Sequence, residues 1–236
     1  LCSHGVKGGA LIVVGEDYGE VASVIQERTL AMAMKSTIWL FDPRPDLQNI
    51  VDMVEQSFEL SEASNTPVMM QLRIRSCHVQ GEFIAKNNRA PKVGTKNRFT
   101  DPAVFDYDRL AHPPVTFSHE KLKVSARLPA AQRYIVEHGL NELIEGEQKS
   151  VGIIVQGGIY NILMRRLQVM GLADAFGNSK IPVLVLNVTH PLVPDQITDF
   201  CAGKNAVLMV EEGNPEFMEH QVSSLLRKAD LSTKLH

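Results

Sequence analysis

Short continuous apolar runs alternate with longer stretches of helical periodicity along most of this chain. The clearest unit is Val151 to Leu172, VGIIVQGGIYNILMRRLQVMGL. A near-continuous apolar run leads into Gln156-Gly157-Gly158, and Ile159, Ile162, Leu163, Leu167 and Met170 then repeat at helical spacing. A short apolar run closed by glycines reads as a buried strand, and the periodic stretch after it as a helix. Strand, tight turn and helix form the repeating unit of a parallel α/β sheet. The glycine pair admits two readings: turn geometry with close packing, or backbone N–H groups at a helix start turned toward an anion.

The same alternation runs through the first third. Ala10 to Val14 reads as a buried strand, with Gly15-Glu16-Asp17-Tyr18-Gly19 as the loop at its carboxyl end. Ser23 to Met34 is a helix or ordered loop of mixed polarity. Thr37 to Phe41 is a second strand, stopped by Asp42-Pro43-Arg44-Pro45 because two prolines forbid both helix and central strand. An amphipathic helix follows from Asp46 to about Ala63, with Leu47, Ile50, Val51, Val54, Phe58 and Ser61 on one face and Asp46 at its N-terminus. Val68 to Ile74 is a third strand, in which Arg73 and Arg75 share a face. Three parallel strands leave an edge unpaired. Since the chain opens on Leu1 and reaches a strand by Ala10, the missing strands are expected to precede it, which makes the chain an interior piece of something longer.

Periodicity fades from Cys77 to about Leu128, as in a crossing segment between domains. Lys86, Arg89, Lys92, Lys96 and Arg98 lie there, either solvated or facing a phosphate or acidic partner. From Pro129 a helix is expected to reach Ile144, carried by Ala131, Ile135, Val136, Leu140, Leu143 and Ile144 despite Gly139. After the opening unit come strands at Ile181 to Leu186 and Asn205 to Val210, and helices at Asp195 to Ala202 and Pro215 to Ala229. The expected fold class is α/β, with two three-layer α/β/α units built on mainly parallel sheets. Their bounds are 1–80 and 129–236, with a linker over 81–128.

Composition narrows the partners. At 236 residues, 44% hydrophobic and 22% charged, the chain is an ordinary globular one. A net charge of −3 gives no reason to expect nucleic acid or an anionic membrane, and no run approaches the length of a membrane span. Cys2, Cys77 and Cys201 are too far apart for a disulfide framework or a metal motif, so a reducing, cytoplasmic location is expected.

Chemistry is sought at strand ends, where open parallel sheets collect ligands. Glu16 and Asp17 stand at one such end, and His190, Glu211 and Glu212 at others. Paired acids near a histidine do acid–base work once burial shifts them, whereas Asp17 as a helix cap and His190 before Pro191 have plain structural readings. The chain has no Walker loop, no G-x-G-x-x-G, no G-x-S-x-G elbow and no zinc-spaced cysteine/histidine set. It also lacks a Gly-Asp-Gly segment followed by paired asparagines.

The order of elements resembles a known family. Gly5-Val6-Lys7-Gly8-Gly9-Ala10-Leu11-Ile12-Val13-Val14 with Glu16-Asp17 is similar to the pyrimidine-binding domain of indolepyruvate:ferredoxin oxidoreductases, members of the thiamine diphosphate-dependent 2-oxoacid:ferredoxin oxidoreductase group. Phe58 to Glu62 before Pro67-Val68, and Arg73 to His78, look like the same domain's next helix and strand. Gly152-Ile153-Ile154, Gly157, Tyr160-Asn161, Pro191 to Pro194, Val210-Glu211-Glu212 and Glu219 to Val222 resemble the family's transketolase C-terminal-like domain.

The resemblance implies that 1–80 is the C-terminal part of the pyrimidine-binding domain and 129–236 the transketolase C-terminal-like domain. It implies oxidative decarboxylation of an aryl 2-oxoacid such as indolepyruvate, with thiamine diphosphate and Mg²⁺ as cofactors, coenzyme A as acyl acceptor and ferredoxin as electron acceptor. The cofactor contacts it places on this chain are Glu16, Asp17, Ser23, Gln26 and Arg28, one wall of the pyrimidine site. No catalytic residue and no metal ligand falls within the chain, and iron–sulfur clusters would lie outside it. The family's acidic-polar loop after its first strand reads Ala22-Ser23-Val24-Ile25-Gln26-Glu27-Arg28 here, a departure that bears on substrate choice. A homodimer is implied. The alternative is a non-catalytic α/β assembly or binding module of a multisubunit complex.

Overall fold

The computed structural model describes residues 4–6, 8–17, 28–89 and 104–236. The first third runs through strand β1 (Leu11–Glu16), helix α1 (Thr29–Ser36), strand β2 (Trp39–Phe41), helix α2 (Leu47–Ser64), strand β3 (Val68–Arg73) and a single helical turn, α3 (Ile74–Cys77). Asp46 caps α2 as expected, its Oδ1 accepting from the Asn49 N–H at 2.9 Å. The buried stripe of α2 is not the expected one. Met53, Ser57, Leu60, Ser61 and Ser64 face inward, while Val54 and Phe58 are 37% and 43% exposed. Three serines on that stripe let the helix lie close to the sheet without leaving polar groups unpaired. The Ser57 and Ser64 hydroxyls donate to the carbonyls of Val54 and Leu60, Ser64 Oγ accepts from the Trp39 indole N–H at 2.7 Å, and Ser61 Oγ accepts from the Ala10 N–H.

Residues 79–89 carry no regular structure and are largely exposed. Within the segment expected to be linker, helix α4 (Val115–Leu122) passes through a π-helical turn into α5 (Leu128–Glu137). The helix expected to reach Ile144 therefore ends early. Gly139 takes φ +58°, the Leu140 N–H bonds back to the Ile135 carbonyl, and the chain leaves as strand β4 (Glu142–Ile144). Strand β5 (Val151–Gln156), helix α6 (Tyr160–Val169), strands β6 (Val183–Leu186) and β7 (Val188–His190), helix α7 (Pro194–Cys201), strand β8 (Ala206–Val210), helix α8 (Phe217–Lys228) and strand β9 (Lys234–Leu235) complete the order.

The strands form two mainly parallel sheets, which makes the chain the α/β protein its alternation of elements predicts. One has the order β1-β3-β2-β7 and the other β4-β6-β5-β8-β9. β7 runs antiparallel to β2 and β4 antiparallel to β6, while the other pairings are parallel. The outer edge of β2 is thus taken by three residues from the far end of the sequence. The outer edge of β1 has no partner among the described residues.

Strand alternation splits the core cleanly. Leu40 and Met69 join Leu30 and Ala33 of α1 in a cluster continuous with Ile154, Leu184, Ile197, Met209 and Val222 of the second sheet and its helices. Their neighbours Trp39, Phe41, Val68 and Met70 point the other way, against Met53 and Leu60 of α2 and Ala131 and Ile135 of α5. Ile153, Val155, Val183 and Val185 form a third cluster with Met164 and Leu167 of α6. Period-two alternation with apolar residues on both faces is what helix-covered parallel sheets require. No helix among the described residues is long and apolar enough to cross a membrane.

Candidate functional site

The carboxyl ends of β1, β3, β5 and β8 and the loop after β2 converge, and a buried arginine sits where they meet. Arg73, the last residue of β3, is 4% exposed. Its Nε and Nη2 donate to the two carboxylate oxygens of Asp42 at 3.2 and 2.7 Å. Nη2 also donates to Gln156 Oε1 at 2.9 Å, and Nη1 donates to Glu212. Gln156 Oε1 accepts a second bond from the Glu212 N–H at 2.9 Å, and its Nε2 faces Met218 Sδ. One guanidinium thus ties together groups from both sheets. A buried charge is tolerated only with such complete pairing. Glu212 is half-buried, and burial raises its pKa against the opposing pull of Arg73 and Arg75. Arg75 lies 3.9 Å from the other oxygen of Glu212.

The glycine pair is explained by this cluster. Neither Gly157 nor Gly158 takes a positive φ. A Cβ on Gly157 would collide with the Asp42 carbonyl oxygen, and one on Gly158 with Arg73 Nε and Asp42 Oδ1. Close packing is the correct reading: Asp42 and Arg73 fill the space a side chain at Gly158 would take.

Glu16 sits in register with Arg73 on the neighbouring strand and is 3% exposed. Its Oε2 accepts from the Thr29 N–H at 3.0 Å and from the Thr29 hydroxyl at 2.5 Å, so it serves as the N-terminal acceptor of α1. The preceding residue, Arg28, contributes no side-chain cap and takes φ 53°. Asp17 follows the strand with Oδ1 enclosed and without a hydrogen-bond partner among the described residues. The Arg28 side chain is exposed and lines a shallow cleft with Leu30, Glu211, Glu212, Asn214 and Phe217. Ser23 and Gln26 lie outside the described residues. Of the five sequence-predicted contacts, Glu16, Asp17 and Arg28 are therefore at one end of the first sheet, and Arg28 is brought against the loop after β8.

Glu211 caps α8, both carboxylate oxygens accepting from the Met218 N–H at 3.0 and 3.1 Å and one from the Glu219 N–H. Burial raises its pKa, opposed by those bonds. His190 makes no hydrogen bond to it, so the acid–histidine pairing weighed from sequence does not form. Of the basic residues over 86–98, Lys86 is paired with Glu55 of α2, Arg89 is exposed, and Lys92, Lys96 and Arg98 lie outside the described residues. Asp42 and Gln156 escaped sequence reasoning. The available signal was polarity at the end of apolar strands: VMMQLR ends in Arg73 and VGIIVQ in Gln156.

The fit to thiamine diphosphate is partial. Asp17 Oδ1 is an enclosed acceptor with unused capacity, suited to an amino-substituted heterocycle. Among the described residues no three His, Cys, Asp or Glu side chains gather as metal ligands.

No family model matches the chain. It is 26% identical over 98% of its length to the indolepyruvate oxidoreductase subunit IorA of Methanothermobacter thermautotrophicus, covering 35% of that protein. It is 27% identical over 98% to IorA of Pyrococcus abyssi, covering 34%. The chain therefore spans about a third of the length of the curated relatives it matches. In fold it matches a 2-oxoglutarate:ferredoxin oxidoreductase from Magnetococcus marinus, solved with 2-oxoglutarate, coenzyme A and succinyl-CoA bound. That match has a TM-score of 0.59 and 16% identity over 100% of this chain and 46% of that one. The family resemblance in the motifs is borne out along nearly the whole sequence.

Proposed function

We propose that this chain, a relative of the indolepyruvate oxidoreductases of the 2-oxoacid:ferredoxin oxidoreductase family, forms part of an enzyme that oxidatively decarboxylates an aryl 2-oxoacid of the indolepyruvate type to an acyl-CoA. The observation that carries the reading is the match over 98% of the chain to IorA subunits from different organisms. In this reading residues 1–80 belong to the pyrimidine-binding domain and 129–236 to the transketolase C-terminal-like domain. Thiamine diphosphate, when bound, supplies the electron sink for decarboxylation. This chain's share is positioning. Glu16 fixes the start of α1, Asp17 offers its acceptor to the aminopyrimidine, and Arg28, with Ser23 and Gln26, completes that wall. Magnesium ligands, the activating glutamate and iron–sulfur cysteines come from other segments or a companion subunit. Coenzyme A and ferredoxin, a homodimeric assembly and a cytoplasmic location follow from the same reading.

The test is the reading frame on either side of the chain, together with any companion subunit. It is expected to hold an activating glutamate and a Gly-Asp-Gly segment. Absence of both sinks the enzymatic reading and leaves a non-catalytic assembly module. Calorimetry with thiamine diphosphate and Mg²⁺ is expected to show no tight binding to this chain alone. Clear binding would place a complete site within it.

A further inference from the structure

His190 ends β7, the strand through which the second half of the chain joins the first sheet. It stands opposite Leu40 of β2 in a ladder whose register shifts after one pair. Its ring lies on Trp39, centroids 5.9 Å apart. Both ring nitrogens are sealed from solvent, and neither has a hydrogen-bond partner among the described residues. A neutral imidazole carries one donor and one acceptor, and enclosing both unpaired is unfavourable. Such an exception calls for a physical account.

The surroundings suit a neutral ring and oppose a charged one. Beside it lies a cavity of about 260 Å³. From α5 it is lined by Leu128 and Gln132, from the loop after β7 by Pro191 and Leu192, and from α8 by Gln221 and Lys228. Across the ladder β2 presents Trp39 and Leu40, and the buried side chains of α1 are Thr29, Leu30 and Ala33. Among the described residues Lys228 is the one charged group lining the cavity and no carboxylate lines it, and Lys228 repels an imidazolium. Burial alone holds the imidazole below its usual value, at about 4.

We propose that His190 is a pH-operated latch on the β2–β7 ladder. When the three-residue strand parts from β2, one ring nitrogen takes a proton from solvent, and the imidazolium, turned off Trp39 into the adjoining cavity where water reaches it, holds the ladder open. Neutral His190 keeps β7 on β2, and mild acid raises the population in which that ladder is open. The latch stands on the ladder's geometry and does not depend on the enzymatic reading.

The test is amide hydrogen exchange of Trp39–Phe41 and Val188–His190 from pH 7.5 to 5, corrected for intrinsic rates, alongside an NMR titration of the His190 ring. With an open-state value of 6.5 and a closed-state value of about 4, the opening constant rises about thirtyfold over that range. In His190→Phe, which keeps a ring against Trp39 and cannot be protonated, that rise is expected to disappear. His190→Met is the second variant should the first fail to fold. Titration of the wild-type ring near 6.5 with no loss of ladder protection overturns the latch, as does an undiminished rise in either variant.

Discussion

Gly158 stands so close to Arg73 that a single methyl group at its Cα would overlap the guanidinium, and the carboxylate of Asp42 with it. The second sheet's first βα turn is thereby seated on the buried ion pair of the first sheet. Gly158→Ala is expected to destabilise the chain by about 1–3 kcal/mol through overpacking, and by more if the ion pair is displaced. Gly15→Ala is the control, because nothing lies within 4 Å of a Cβ there and its φ is not positive. Urea midpoints of the two variants check this. Equal midpoints would mean that the turn yields freely.

Arg73 and Asp42 are each nearly inaccessible, with side chains 4% and 2% exposed. Removing one partner strands the other charge away from water. Arg73→Met is expected to cost about 3–5 kcal/mol. The double variant Arg73→Met with Asp42→Asn should cost clearly less than the sum of the single changes, since the nearly inaccessible Asp42 charge goes with its partner and only half-buried Glu212 is left, beside Arg75. A double-mutant cycle from denaturant unfolding measures the coupling. Additivity would show that the pair is already solvated.

Much of this architecture was legible because apolar runs and helical repeats carry it. β5, β6 and β8 and helices α2 and α8 follow directly from those patterns. The failures have particular causes. Leu140, Leu143 and Ile144 continue the spacing of α5 and equally suit a strand, so Gly139 was the one sign that the helix stops. β7 is three residues bounded by Asn187 and Pro191, too short for any period to show. The inward stripe of α2 departs from the apolar pattern because three of its five buried residues are serines. The Arg73 cluster draws its partners from positions 31, 83 and 139 residues away, and no local pattern encodes such a meeting.

Glu16 holds the Thr29 N–H and hydroxyl across a chain separation of 13 residues. Glu16→Ala is expected to cost about 1–2 kcal/mol, the range for a lost helix cap. Thr29→Val removes the hydroxyl bond alone and should cost about 1 kcal/mol. Thermal unfolding followed at 222 nm by circular dichroism reports both. A loss for Thr29→Val exceeding that for Glu16→Ala would contradict the capping role.

Asp17 separates stability from function. Its Oδ1 is enclosed without a partner among the described residues, so Asp17→Asn, which removes a charge, should leave the urea midpoint unchanged or raise it. If the proposed enzyme is correct, the same change in it is expected to weaken thiamine diphosphate binding about tenfold, the worth of one charge-assisted hydrogen bond. Unchanged cofactor affinity would remove Asp17 from the pyrimidine wall.

Gln156 is the neutral member of a cluster that otherwise balances charges, and its amide oxygen serves both Arg73 and the Glu212 N–H. Gln156→Glu keeps the shape and adds a third carboxylate beside Asp42 and Glu212. Burial at 3% exposure and two like charges, against the pull of Arg73, which those carboxylates already share, would raise the new group's folded pKa above its unfolded value near 4.3. A raised folded value means that stability is retained at low pH and lost as pH rises through it. The variant should therefore be less stable than wild type at pH 7 and recover much of the difference at pH 5. Urea midpoints at the two pH values decide it. A deficit that is the same at both would show that the new carboxyl is not buried among the other acids, and that the Arg73 cluster is open to solvent.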